Sequence, residues 1–474
     1  MLFRTYNLVD LFGFAHDADL YSWIAKDIIV NGNIRLIGQQ TSAEGVYIGS
    51  LFYYLLVPLF TLFNMDPIGS AYLAPIVGAA TILSYYFCFS RLFHKTAGLT
   101  AAFIHAISLS SVGFDRWIVP TITTKLWAIW YLYTLIMLAR GNFRVLPILG
   151  ILIALTWHIH LALLPALIAI PIAIYVSKKL PSLKQSLYSL ASLIFFSIPF
   201  LVFETRNNFL QISSILQSFS HELGGSTGWY KAMIVTEFIA KNTNDLFFYP
   251  NSISGGLKFI PLLVVGLSTA FLIRKQILRM KETILMFSWI LGILLYFSLS
   301  SKPISEYYFI NFEVIIIAVI SLLFSYFMGL SKAYKSLVIS FFVILLVRNF
   351  QINATTDPIH TGYKERKAVA EFISNDIKAK NYPCVGINYI TYPGENVGFR
   401  YFFYLYNLKL APPSNNVPVY SIVYPYSWSE KEIAQSYGPM GVILPAKVPD
   451  KKTLDYHCSG ANTNLTEPVL GFVE

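Results

Sequence analysis

The sequence predicts an α-helical polytopic membrane protein of about ten spans plus interfacial helices, with a small extracytoplasmic α/β domain at the C-terminus. Three observations predict it. Of 474 residues, 55% are hydrophobic and only 13% charged, about half the charged fraction that a soluble surface carries. Apolar runs of ~20 residues, the length that crosses ~30 Å of hydrocarbon, recur along the chain. The basic residues gather between these runs, as Arg91 with Lys95, Arg140 with Arg144, Lys178 with Lys179, Arg274 with Lys275, Arg279 and Lys281, and Lys332 with Lys335. That spacing is the positive-inside pattern, which holds each short loop in the cytoplasm. It also argues against a nucleic-acid partner despite a net charge of +10, because no contiguous basic face interleaved with aromatic residues is visible.

The spans follow in order. Stretches 70–90, 97–112, 122–138, 145–157, 159–176, 187–203, 259–273, 283–299, 307–327 and 333–347 are the candidates. As one helix, 145–176 would run about 48 Å at ~1.5 Å per residue, so it reads as two short helices turning near His158 and His160. This topology puts every basic cluster on one side. Asp17, Asp19, Asp115, Glu204, Glu222, Glu237, Asp245 and Glu306 fall on the other. Counting 46–64 as a span would break that sorting. It reads instead as an interfacial or re-entrant helix with Tyr47, Tyr53 and Tyr54 at headgroup level. Residues 204–257 read as a large polar outer loop broken at Gly224-Gly225 and Gly255-Gly256, long enough to carry function.

After residue 348 the composition changes, giving expected domains 1–348 and 349–474. An amphipathic helix is expected over 363–380, with Val369, Phe372, Ile373 and Ile377 on one face. Strands are expected at 384–390, 420–423 and 441–444, and Ser429 with Glu432 reads as a capping box opening another helix. Cys384 and Cys458 can pair if this domain is extracytoplasmic. Asn353-Ala-Thr355 and Asn464-Leu-Thr466 are sequons.

Chemistry concentrates in the first outer segment: Phe14-Ala-His-Asp17-Ala-Asp19-Leu-Tyr21, then Gly32, Leu36-Ile-Gly38, Thr41-Ser42, Gly45 and Gly49-Ser-Leu-Phe-Tyr53-Tyr54. A carboxylate pair at i and i+2 can cap a helix, bind a cation or act as a base. A divalent metal is therefore one candidate cofactor. Asp17 and Asp19 can also be no more than solvated first-turn residues. Asp115-Arg116 can be a surface pair, and His158, His160, Glu204, Arg206 and Glu306 ordinary interface residues.

This run resembles the first outer loop of the GT-C superfamily of membrane glycosyltransferases, which use polyprenyl-phosphate-linked sugars. It is most similar to the branch of the protein O-mannosyltransferases and the lipid A aminoarabinose transferase. There, an acidic motif follows the first membrane helix and a tyrosine stands four residues after its aspartate. Asp17 and Tyr21 match that spacing, and Ala18 stands where the family often has Glu. Asp115-Arg116-Trp117 resembles the second outer loop, and Trp157-His-Ile-His160 resembles a His-bearing outer turn. Phe203-Glu204-Thr-Arg206 resembles the start of the large loop, and Glu306-Tyr307-Tyr308 the entry to a late helix. Family members carry a membrane helix ahead of the acidic loop. Met1-Leu-Phe-Arg-Thr-Tyr6 resembles its end, so that helix is expected to lie upstream of the given start or to be missing.

The resemblance implies an inverting transfer of a sugar from a polyprenyl-phosphate donor to a protein, lipid or glycan acceptor. The site would face outward from the cell membrane, among membrane lipids. Asp17 and Asp19 are the candidate catalytic carboxylates. Arg116, His160, Arg206 and Lys302 are candidates for the donor phosphate, and Tyr21, Asp115, His158, Glu204 and Glu306 for supporting or acceptor-binding roles. The rival readings are a transporter or lipid flippase, which would place ionisable groups near mid-membrane and show repeated halves, and a non-catalytic assembly factor derived from such a transferase.

Overall fold

The computed structural model describes residues 1–41, 44–220 and 225–465, with the side chains of 218–220 left aside. The expectations placed on Ser42, Glu222, Gly224 and Thr466 lie outside the described residues. Contacts group the chain into two compact units. One comprises Met1–Arg4, Arg35–Phe52 and Ala74–Thr355; the other comprises Thr5–Ile34, Tyr53–Leu73 and Thr356–Glu474. The C-terminal segment thus shares its unit with two stretches from the N-terminal part of the chain.

Among the described residues six helices are long and apolar enough to cross a membrane: Ile68–Leu92, Pro120–Ala139, Gly255–Arg274, Met280–Leu299, Glu306–Leu330 and Lys332–Ala354. Two bent pairs raise the number to eight if each is one span. The remaining two expected spans form the shorter helices Phe143–Ile159 and Leu161–Ser177. All ten expected stretches are therefore helical, and this is a multi-pass membrane protein.

The breaks have local causes. Lys95–Ile107 and Leu109–Arg116 meet at 64° because Ser108 leaves helical geometry and its Oγ accepts from Ser111 N at 3.4 Å, capping a new helix. Leu183–Phe196 and Ile198–Arg206 meet at 60°, where Pro199 stands at the start of the second helix and lacks the N–H that would continue the first. His160 is extended, and its Nδ1 accepts from Ala162 N at 3.0 Å. That turns the chain where the sequence placed the turn.

Similar apolarity serves different roles. The Pro120–Ala139 window is 78% buried and that of Gly255–Arg274 only 17%, so the first is core and the second faces lipid. In the core, Trp127 stacks on Tyr131 at 4.6 Å, and Trp289 packs against Tyr131 at 4.9 Å. The polar tips of these three rings each find an acceptor: Trp127 Nε1 donates to Leu152 O, Tyr131 OH to Ala166 O, and Trp289 Nε1 to Asn311 Oδ1. Gly150 lets helix Leu183–Phe196 approach closely, since a Cβ there would fall 2.2 Å from Ser189 O.

The polar stretch 204–257 is not a simple loop. It contains helices Leu210–Ser220 and Trp229–Phe248. The second buries Val235, Ile239 and Leu246 on one side, a stripe that its polar residues hid from the composition. A two-stranded antiparallel hairpin, Ile37–Gln40 with Tyr47–Gly49, also went unforeseen. The helix after it, Leu51–Leu62, is about 18 Å long, too short to span a bilayer.

In the second unit, helix Tyr363–Lys380 has the expected bounds and buries Val369, Ile373 and Ile377. Its sheet runs Gly386–Thr391, Val419–Tyr424, Met440–Ile443, Gln435–Tyr437 in spatial order. The first pair is parallel and the others antiparallel. Gln435–Tyr437 adds an edge strand to the three expected. The capping box at Ser429 does not form. Residues Tyr426–Glu432 make a 3₁₀ stretch broken at Ser429, with φ −142° and ψ 37°. Hydrogen bonds from Tyr426 N to Pro439 O and from Ala434 N to Val442 O lead this segment into the final hairpin instead of a helix. Cys384 and Cys458 are joined by a disulfide.

Candidate functional site

The acidic segment opens helix His16–Asn31, with Asp17 and Asp19 in its first turn, where unsatisfied N–H groups favour negative charge. The two carboxylates have different surroundings. Asp17 is half exposed, with His16 Nδ1 3.3 Å away. Asp19 is half-buried, and its Oδ1 accepts from Tyr401 N at 3.0 Å. Burial pushes the Asp19 carboxyl above the ordinary range, against the opposing pull of the Tyr401 N–H and Arg400. Tyr21 is buried. Its hydroxyl pairs with Ser70 Oγ at 2.9 Å and its ring packs edge-on to Phe60. Asp17 is thus the accessible member, Asp19 a tether to the backbone at Tyr401, and Tyr21 a packing anchor.

The remaining candidates lie in the helical unit, and there the structure shows a group the sequence reading missed. Asp115 Oδ2 takes Arg4 Nε at 2.6 Å, and Arg4 also donates to Ala106 O at 3.1 Å. Glu313 takes Lys125 Nζ at 2.6 Å and Ser111 Oγ at 2.5 Å. The His105 ring lies between the two pairs, 3.8 Å from Asp115 Oδ2 and 3.6 Å from Glu313 Oε1. All five side chains are buried. Two cations face two carboxylates, so the group is balanced, as burial of charge demands. Asp115 Oδ1 has no hydrogen-bond partner among the described residues. Lys125 and Glu313 stand at the first residues of helices Thr124–Ala139 and Glu313–Leu330, and Asp115 at the end of Leu109–Arg116. The group therefore lies where α-helical segments begin or end, inside the longer spans Pro120–Ala139 and Glu306–Leu330 for Lys125 and Glu313. An ionisable residue inside an apolar run was the available signal for Lys125 and Glu313.

Arg116 donates to Phe3 O at 2.7 Å. His158 is buried, with Nδ1 accepting from Leu51 N at 3.4 Å and Nε2 donating to Phe196 O at 3.1 Å, which suits a neutral ring. Gly49 permits that approach: a Cβ there would fall 2.2 Å from His158 Nδ1. Glu204 accepts from Gln211 N and Ile212 N at 3.1 and 3.0 Å, capping helix Leu210–Ser220. Arg206 is exposed where helix Ile198–Arg206 ends.

The structure does bring His160 together with the 306–308 segment. Its ring lies 4.7 Å from Tyr308 and 5.7 Å from Tyr307. Glu306 pairs with Lys241 at 2.8 Å, and Lys241 also reaches Asp245 at 2.7 Å. Lys231 donates to the carbonyls of Ser300 and Lys302, fixing the preceding loop. Burial lowers the Lys302 ammonium below its ordinary range. Among the described residues no three His, Cys, Asp or Glu side chains gather as metal ligands.

No family profile and no curated protein matches the sequence. Solved structures do. ArnT from Cupriavidus metallidurans bound to undecaprenyl phosphate aligns with a TM-score of 0.56 at 12% identity, over 95% of this chain and 97% of that one. Its apo state aligns with a TM-score of 0.52 at 11% identity, over 92% and 95%. The shared fold is the GT-C fold.

Proposed function

We propose that the chain is a membrane glycosyltransferase that moves a sugar from a polyprenyl-phosphate-linked donor to an acceptor, inverting the anomeric carbon, on the extracytoplasmic face. The observation that carries this reading is the exposed Asp17 carboxylate in the first turn of its helix. It belongs to a chain whose fold matches, nearly end to end, a protein crystallised with a lipid phosphate. The acceptor hydroxyl or amine attacks the anomeric carbon while Asp17 takes its proton. The bond from that carbon to the phosphate oxygen breaks, and polyprenyl phosphate leaves with the electron pair. That leaving group needs positive charge and hydrogen-bond donors rather than a proton. Arg116, Arg206, Lys302 and His160 are our candidates for this role. Asp19 positions the segment through Tyr401.

The outward orientation rests on the side-sorting of basic clusters and on the Cys384–Cys458 disulfide, a bond favoured in oxidising compartments. A transporter would use the buried charges near the bilayer centre. The Arg4, Asp115, His105, Lys125 and Glu313 group is charge-balanced and fully buried, which suits a structural pin.

The test incubates the purified chain in nanodiscs with sugars carried on polyprenyl phosphate. It follows release of free polyprenyl phosphate and the configuration of the product. Release with inversion supports the proposal; no release from any donor, or retention of configuration, overturns it.

A further inference from the structure

A second feature of the helical unit involves none of the candidate site residues and none of the buried charged group. Where helix Ala169–Ser177 ends, near the start of Met280–Leu299, an open cavity of about 540 Å³ is lined by Ile174, Val176, Lys178, Lys179, Leu180 and Lys281. The three lysines are exposed, and none pairs with a carboxylate among the described residues. The nearest acid in sequence, Glu282, is already engaged by Arg140 at 2.5 Å. No acidic residue lines the cavity.

The lysines are held by a defined turn rather than by a loose tail. Lys178 closes the helix with φ +55°, and Lys179 N donates to Ser177 Oγ at 3.1 Å. Beside them Tyr175 and Leu180 are each 84% exposed, an apolar display that water would disfavour and hydrocarbon would not. Since both helix ends close apolar segments, the lysines stand at headgroup level.

We propose that this pocket binds the phosphodiester headgroup of an anionic membrane phospholipid, with the lipid's chains lying along Ile174, Val176 and Leu180. A pocket that combines uncompensated positive charge with an apolar wall matches an amphiphile. A free phosphate ion would gain nothing from that wall. Such lipid binding is independent of transferase activity.

The experiment uses the full-length chain in mild detergent and measures retained lipid by native mass spectrometry, with phosphatidylglycerol competed against phosphatidylcholine. The expected result is preferential retention of phosphatidylglycerol, weakened about fivefold per lysine removed. The triple variant Lys178→Gln, Lys179→Gln, Lys281→Gln should lose the preference by on the order of a hundredfold. Lys332→Gln with Lys335→Gln, two exposed lysines outside the pocket, should leave it intact. Equal retention of both lipids overturns the proposal, as does an equal loss in the control variant. Displacement of the lipid by millimolar inorganic phosphate would show a soluble-anion site and also overturns it.

Discussion

Replacing Lys125 with Met keeps the length of the side chain and removes its charge, leaving the Glu313 carboxylate to Ser111 and His105 alone. The lost contact is an ion pair at 2.6 Å between side chains only 1% and 5% exposed. Removing one partner of such a buried pair costs about 3–5 kcal/mol, because the other charge is left without compensation. Removing both does not, since apolar groups of similar volume replace a buried pair at little cost. Lys125→Met with Glu313→Leu should therefore recover most of the loss. The residue is about 1–3 kcal/mol for the Ser111 hydroxyl and His105 ring, which lose their acceptor. Denaturant unfolding in mild detergent of the wild type, both single variants and the double variant closes the cycle. If each single substitution costs under ~1 kcal/mol, or the double costs the sum of the singles, the pair is not coupled and the pin is wrongly assigned.

Three further outcomes are expected. Gly78→Ala would set a Cβ 2.3 Å from Arg4 Cδ and Nε and 3.1 Å from Asp115 Oδ2. It should cost about 1–3 kcal/mol by the same unfolding measurement, and a change near zero would show that Arg4 is free to move aside. Asp19 carries a carboxyl whose folded-state pKa is raised, so its stabilising contribution is fully present below the ordinary carboxylate value and is lost as pH rises through the raised one. Asp19→Asn keeps an acceptor for Tyr401 N. Its stability should gain on the wild type as pH rises above about 4, and melting curves that stay parallel across that range would refute the assignment. Glu204→Ala strips the acceptor from Gln211 N and Ile212 N. Hydrogen exchange at the start of helix Leu210–Ser220 should speed up in line with a cap loss of about 0.5–2 kcal/mol, and unchanged protection would contradict the capping role.

Much of the fold was legible because its causes are local. Apolar runs of bilayer length locate the helices, the excess length of 145–176 forces a turn, and the stripe of Val369, Ile373 and Ile377 fixes Tyr363–Lys380. The misreadings share one physical source, which is partners distant in sequence. Ser429 had the residues of a capping box, yet Pro439 and Val442 claimed the backbone around it. Trp229–Phe248 looked like loop because its polar residues are satisfied by tertiary contacts, such as Lys231 on the carbonyls of Ser300 and Lys302. The Arg4, His105, Asp115, Lys125 and Glu313 group joins residues far apart in sequence, and Ser111, which donates to Glu313, stands 202 positions from it; no motif spacing encodes that. At the candidate site the sequence named Asp17 and Asp19 as a pair. It could not tell the exposed Asp17 from the tethered Asp19, because the partner at Tyr401 lies 382 residues away.

If Asp17 takes the proton of the incoming hydroxyl or amine, Asp17→Asn removes that base while keeping size and polarity, and the reconstituted transfer assay reads the loss. The side chain is half exposed, so the substitution should leave folding intact. The transfer rate should fall by roughly 10²–10⁴-fold with an unchanged melting profile. A variant that transfers sugar at the wild-type rate would contradict it.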